Sequence, residues 1–77
     1  MKITKRHLEG MVERLNYRAG FEEVEYLTVG SYRLYHDGVG YRIDKVENSA
    51  GGVSVVGNMY GMTTRECYMF LSGLLAR

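Results

Sequence analysis

Arg33 and Arg42, with Tyr35 between them in the sequence, are the side chains of this chain best suited to chemistry on an anion. A guanidinium presents paired planar donors to a phosphate or carboxylate, and a tyrosine ring beside it offers a stacking surface. Whether they meet depends on the stretch SYRLYHDGVGYRID, residues 31–44. Asp37-Gly38 is a strong signal for a two-residue hairpin turn. That turn sets a register in which His36 opposes Val39, Tyr35 opposes Gly40, Leu34 opposes Tyr41, Arg33 opposes Arg42, Tyr32 opposes Ile43 and Ser31 opposes Asp44. One face then carries Tyr32, Leu34, Tyr41 and Ile43, and the other carries Arg33, Tyr35, Arg42 and Asp44. Like charges placed directly opposite are destabilising. Two readings stay open: the arginines hold an anion or a partner, or Asp44 with Glu22, Glu23 and Glu25 neutralises them across a solvated face.

A second candidate is the glycine-rich run SAGGVSVVGNMYGMTTRECYMF, residues 49–70. A Walker-type phosphate loop needs a lysine beside its hydroxyl residue, and no lysine follows Lys45. Thr63-Thr64-Arg65-Glu66 instead fits a capping box that starts a helix at Thr63. Glu66 would also repel a phosphate there unless Arg65 offset it. The alternative is a mobile loop whose amides, with Tyr60 and Arg65, help close a ligand site.

The remaining reactive residues are weaker. Cys67 sits near a helix start, where thiol pKa values fall, yet it lies on an apolar stripe facing Met62 across Thr63. His36 and its neighbour Asp37 point to different faces of the hairpin, and no geometry joins His36 to Cys67. His7 falls in the first helical turn, on the solvent side. Glu9 and Glu13 share a helical face without a complementary ligand pair. No catalytic residue, metal ligand or cofactor is predicted.

Helices and strands must position these groups. Thr4 is the expected cap of a first helix, with Ile3 and Leu8 as a staple, and Leu8, Met11, Val12, Leu15 and Ala19 form its apolar stripe. Gly20 suits a left-handed cap. Gly10 suggests close packing against a neighbour. Alternation over EEVEYLTV, SYRLYH, VGYRIDKV and GVSVV predicts four strands, and a last helix runs from about Thr64 with Cys67, Phe70, Leu71, Leu74 and Leu75 on one side. The expected fold is α+β: one domain over residues 1–77, a four-stranded antiparallel meander with both helices on one face and the opposite face open.

Composition narrows the partners. The 77 residues carry ten basic and nine acidic side chains, so attraction to nucleic acid is not expected to dominate, and Lys2, Lys5 and Arg6 are too few to specify it. No apolar run approaches the ~20 residues of a membrane-spanning helix, and MKITKRHLEG lacks the apolar core of a signal peptide. With one cysteine, this predicts a cytoplasmic protein. A chain this short buries only about 60–65% of its unfolded surface, so self-association is expected. Seven tyrosines and no tryptophan suit an interface. A small-residue side of the last helix (Met69, Ser72, Gly73, Ala76) would allow close contact between subunits.

The chain resembles a group of small phage-encoded proteins. The likeness runs through Lys5, Leu8, Glu9, Leu15-Asn16 and Gly20, then Gly30-Ser31-Tyr32-Arg33-Leu34, Gly40-Tyr41-Arg42-Ile43, Gly51-Gly52-Val53-Ser54, Thr64-Arg65-Glu66-Cys67-Tyr68 and Leu71-Ser72-Gly73. It departs in a shorter segment between first helix and sheet, and at Thr64 and Cys67, where lysine and leucine are expected. The resemblance implies a phage or prophage origin, action in the host cytoplasm and no catalytic residues. By analogy it implies a non-catalytic protein that counters host antiviral immunity. Its most concrete form is an oligomer that sequesters an anionic nucleotide-like signal through Arg33, Tyr35, Arg42, Tyr60 and Arg65. The alternatives are an inhibitor of a host defence protein, of anti-CRISPR type, and a virion assembly or structural accessory protein.

Overall fold

Two threonines start the two helices by the same device. The computed structural model describes residues 2–22 and 28–77. At α1 (Lys5–Arg18) the Thr4 hydroxyl accepts the His7 amide at 3.4 Å, and His7 Nδ1 accepts the Thr4 amide at 3.1 Å. His7 is exposed, as expected, and also takes the place that Glu or Gln usually fills in a capping box. At α2 (Thr64–Leu75) the Thr63 hydroxyl accepts the Glu66 amide at 3.1 Å and Glu66 Oε1 accepts the Thr63 amide at 2.9 Å. The Thr63 bonds hold the Glu66 carboxyl below its ordinary pKa. Beside this box Met62 and Cys67 are both buried, so the staple across Thr63 is formed.

The end of α1 closes as a Schellman motif. Gly20 has φ 98°, its amide donates to the Tyr17 carbonyl at 3.1 Å, and the Phe21 amide donates to the Asn16 carbonyl at 2.9 Å. Arg18 donates to the Leu75 and Arg77 carbonyls, which satisfies carbonyls at the end of α2 that have no helical partner. Gly10 does not pack closely: no atom lies within 4 Å of where its Cβ would stand. It lines an open groove instead, with Glu13, Arg14, Tyr17, Arg18 and Leu75.

Strands β1 (Tyr32–His36), β2 (Tyr41–Val46) and β3 (Val53–Val55) form an antiparallel meander in that order. Among the described residues the sheet therefore has three strands, not four. The expected first strand over EEVEYLTV, residues 22–29, falls for the most part on residues 23–27, which lie outside the described residues. The fold is α+β, with two helices and a three-stranded antiparallel sheet.

The hairpin register differs from expectation by two residues. Tyr32 pairs Lys45, Arg33 pairs Asp44, Leu34 pairs Ile43, Tyr35 pairs Arg42 and His36 pairs Tyr41. A two-residue turn at Asp37-Gly38 of the favoured type needs positive φ at both, and neither adopts it. Asp37 Oδ1 instead accepts the Val39 amide at 2.9 Å and the Gly40 amide at 3.1 Å, while the Asp37 amide donates to the Gly40 carbonyl. The turn thus centres on Gly38-Val39. Side chains alternate with period two, so a two-residue shift preserves both faces and changes only the partners. The unfavourable Arg33–Arg42 pair is replaced by Arg33–Asp44 and Tyr35–Arg42, each of an attractive type.

After β3 the chain makes a 3-10 turn (Val56–Asn58) and returns to β2, where Tyr41 and Met62 exchange both backbone bonds at 2.8 and 2.9 Å. Continuing the Asp44–Val55 pairing in step would bring Asn58, not Met62, opposite Tyr41, so a short loop of extra residues stands off the edge. The core lies between the helices and one sheet face: Leu8, Met11, Val12 and Leu15 from α1, Tyr41 and Ile43 from β2, Met62, and Cys67 and Leu71 from α2. Burial of each leucine or isoleucine side chain contributes roughly 1.5–3 kcal/mol.

Candidate functional site

The residues on the sheet face away from the helices are Arg33, Tyr35, Arg42 and Asp44, as the alternation predicts. Asp44 is only 3% exposed, and a buried carboxylate requires a partner. Arg42 supplies it: Nε meets Asp44 Oδ1 at 2.9 Å. The guanidinium carbon also lies 4.0 Å from the centroid of the Tyr35 ring, directly across the strand pair. Asp44 and Tyr35 together fix the plane of this guanidinium. The bond to Asp44 raises the Arg42 pKa further, so its charge is permanent. Nε is one of five N–H donors; no described hydrogen bond uses the four on the terminal nitrogens.

Arg33 stands across from Asp44, on the same face. Of the acidic group expected to neutralise the arginines, Asp44 pairs with Arg42 and Glu22 lines the groove beside Gly10 of α1, whereas Glu23 and Glu25 lie outside the described residues. The face is also not open along its whole length. Asp44 and, two residues on, Val46 are both buried, and Val46 falls outside the cluster beneath the helices. The end near the hairpin tip, with Tyr35 40% exposed, is accessible.

Tyr60 and Arg65 belong to a different part of the chain. Tyr60 is exposed on the loop that stands off β2, and Arg65 is exposed in the first turn of α2. Their elements meet β2 at Tyr41, the neighbour of Arg42. No described contact joins either side chain to the Arg42–Tyr35 pair, so the structure places three of the five expected residues on one sheet face and the other two on the loop and the start of α2.

Cys67 behaves as a core residue. It is fully buried, and burial pushes its thiol pKa up to about 11. Native protein is expected to resist iodoacetamide at about pH 8 until a denaturant unfolds it, because the thiolate is the reactive form. Rapid stoichiometric alkylation of the folded chain would contradict this. His36 stacks on Tyr41 with centroids 4.1 Å apart and planes 14° from parallel, which closes one end of the core. Among the described residues, no three of the His, Cys, Asp and Glu side chains are grouped to hold a metal ion, and no helix is long and apolar enough to cross a membrane.

Two residues with decisive roles carry little local chemistry. Asn16 is buried, and its side chain grips the Tyr32 backbone: Nδ2 donates to the carbonyl at 3.0 Å and Oδ1 accepts the amide at 2.7 Å. Its spacing from Leu8 and Val12 on the apolar stripe was the available signal. Gly40 is the other, because its α-carbon faces the Gly61-Met62 backbone. No known protein family, characterised protein or solved structure matches this chain.

Proposed function

We propose that the protein is a non-catalytic phage binding protein that acts in the host cytoplasm and counters antiviral immunity by sequestering an anionic nucleotide-derived signal. The observation that supports this reading is the Arg42 guanidinium, held through Nε by the buried Asp44 and lying over the Tyr35 ring, with no described hydrogen bond on its terminal nitrogens. An arginine oriented in this way meets a phosphate with little loss of side-chain freedom. Arg33 adds a second cation on the same face. Tyr60 and Arg65 would border the ligand from the loop and the start of α2.

Titration calorimetry with linear and cyclic nucleotides, and inorganic phosphate as the reference, tests the proposal. At least one nucleotide is expected to bind. Arg42→Lys keeps the charge over Asp44 but loses the planar fork, so affinity should fall about tenfold or more, as should that of Arg33→Ala. Absence of binding by every nucleotide, or unchanged affinity in both variants, would overturn it.

One observation favours a second reading, inhibition of a host defence protein through direct contact. Val39 is 82% exposed and Tyr60 64% exposed. Val39 stands beside Gly61, the residue that follows Tyr60, because its Cγ1 would lie 3.1 Å from a Cβ there. Co-purification with a host nuclease that is lost in Val39→Asp, without nucleotide binding, would select this reading.

A further inference from the structure

The outer edge of β1 offers hydrogen bonds that nothing described accepts. In an antiparallel pair, alternate residues direct both backbone groups toward the partner strand, and those between direct them away. The Asp37 amide bonds to Gly40 and the Ser31 carbonyl accepts the Val46 amide, so the odd-numbered residues of β1 face β2. Tyr32, Leu34 and His36 therefore face outward. Asn16 saturates Tyr32. Among the described residues, none pairs with the outward amides and carbonyls of Leu34 and His36. A groove of about 350 Å³ lies beside this edge at Leu34, lined also by Lys5, Glu9 and Val12 of the α1 side. Such an edge is a template for another strand.

We propose that the occupant is β1 of a second copy of this chain, paired antiparallel about a two-fold axis at Tyr35. Three registers centre a two-fold within or next to the accessible stretch. Centring on Leu34 would require the outward groups of Tyr32, which Asn16 already occupies. Centring on His36 would set Arg33 against the apolar Val39. Centring on Tyr35 pairs Leu34 with His36 in both directions, uses all four outward groups, and sets Arg33 of each chain across from Asp37 of the other. That register matches charge with charge twice on one face, the kind of cross-strand complementarity that stabilises pairing. Asp37 retains capacity for it, because its bonds to Val39 and Gly40 use Oδ1 alone. The result joins the three described strands of each copy into one continuous sheet, with the two Tyr35 side chains face to face and one Arg42 on either side. It does not depend on the ligand proposed above.

The central pair at Tyr35 is of the non-hydrogen-bonded kind, with α-carbons about 4.5 Å apart, within disulfide reach. Tyr35→Cys should therefore form a covalent dimer under mild oxidation, while Val53→Cys, on β3, should not. Cys67 is buried and does not interfere. Light scattering of the unmodified chain at about 100 µM should give twice the mass of one chain, with the dimer weakened when Arg33→Asp faces Asp37. A monomer at that concentration would overturn the proposal, as would a dimer whose Tyr35→Cys variant cross-links no faster than Val53→Cys. Amide exchange supplies an independent readout: the Leu34 and His36 amides should gain protection as concentration rises, and concentration-independent exchange would also overturn it.

Discussion

Asn16→Ala is expected to lower the unfolding free energy by about 2–4 kcal/mol, since the Tyr32 amide and carbonyl each lose a buried partner worth roughly 1–3 kcal/mol when left unsatisfied. For a domain of this size that corresponds to a fall of about 10–20 °C in melting temperature. The effect is large because Asn16 does what a neighbouring strand would do. Its amide group presents a donor and an acceptor to the edge of β1 at 3.0 and 2.7 Å, and so fixes α1 to the sheet. Total stabilities of such chains are on the order of 4–12 kcal/mol, so one side chain carries a large share. Asn16→Asp separates the two bonds, because it keeps the acceptor but loses the donor and buries a charge. Thermal or urea unfolding gives the magnitude, and faster exchange of the Tyr32 amide localises it. A loss below about 0.5 kcal/mol, the range of an ordinary surface change, would show that water replaces Asn16 at this edge.

Gly40→Ala should cost about 3 kcal/mol or more through backbone overlap and strain. A Cβ there would lie 2.6 Å from the Gly61 carbonyl carbon and 2.7 Å from the Met62 carbonyl oxygen, at a φ of 155°. These are main-chain atoms, so no rotamer change relieves the overlap. The Met62 segment must move away from Tyr41, breaking the paired bonds at 2.8 and 2.9 Å and drawing Met62 and the start of α2 out of the core. Gly10→Ala provides the contrast. Its site is helical and empty within 4 Å, so alanine should stabilise by about 0.5–1 kcal/mol. Chemical denaturation of both variants checks the pair, and equal effects would show that the approach of Gly40 to Met62 does not matter.

Local signals carried far in the helices because their causes are local. Thr4, Gly20, Thr63 and Glu66 act on groups a few residues away, and each does so at its expected position. The hairpin was half legible. Alternation assigned Tyr32, Leu34, Tyr41 and Ile43 to one face and Arg33, Tyr35, Arg42 and Asp44 to the other, but Asp37-Gly38 suggested the wrong turn. Asp37 satisfies the amides of Val39 and Gly40 with its own side chain, Gly40 lies against the Gly61-Met62 backbone, and Tyr41 is bonded to Met62, more than twenty residues on. Neither constraint can be seen from a turn dipeptide.

The sequence by itself determined the helices, their caps, the apolar stripes and the placing of Arg33, Tyr35 and Arg42 on one sheet face, because 3.6- and two-residue periods survive any shift that respects them. Only the tertiary structure decided which residues oppose each other. It set Arg42 on the buried Asp44 and over Tyr35, gave the edge of Tyr32 to Asn16, and put Tyr60 and Arg65 on a separate loop and helix start. Those outcomes depend on contacts between distant segments, where a two-residue slip leaves the pattern intact and changes every partner.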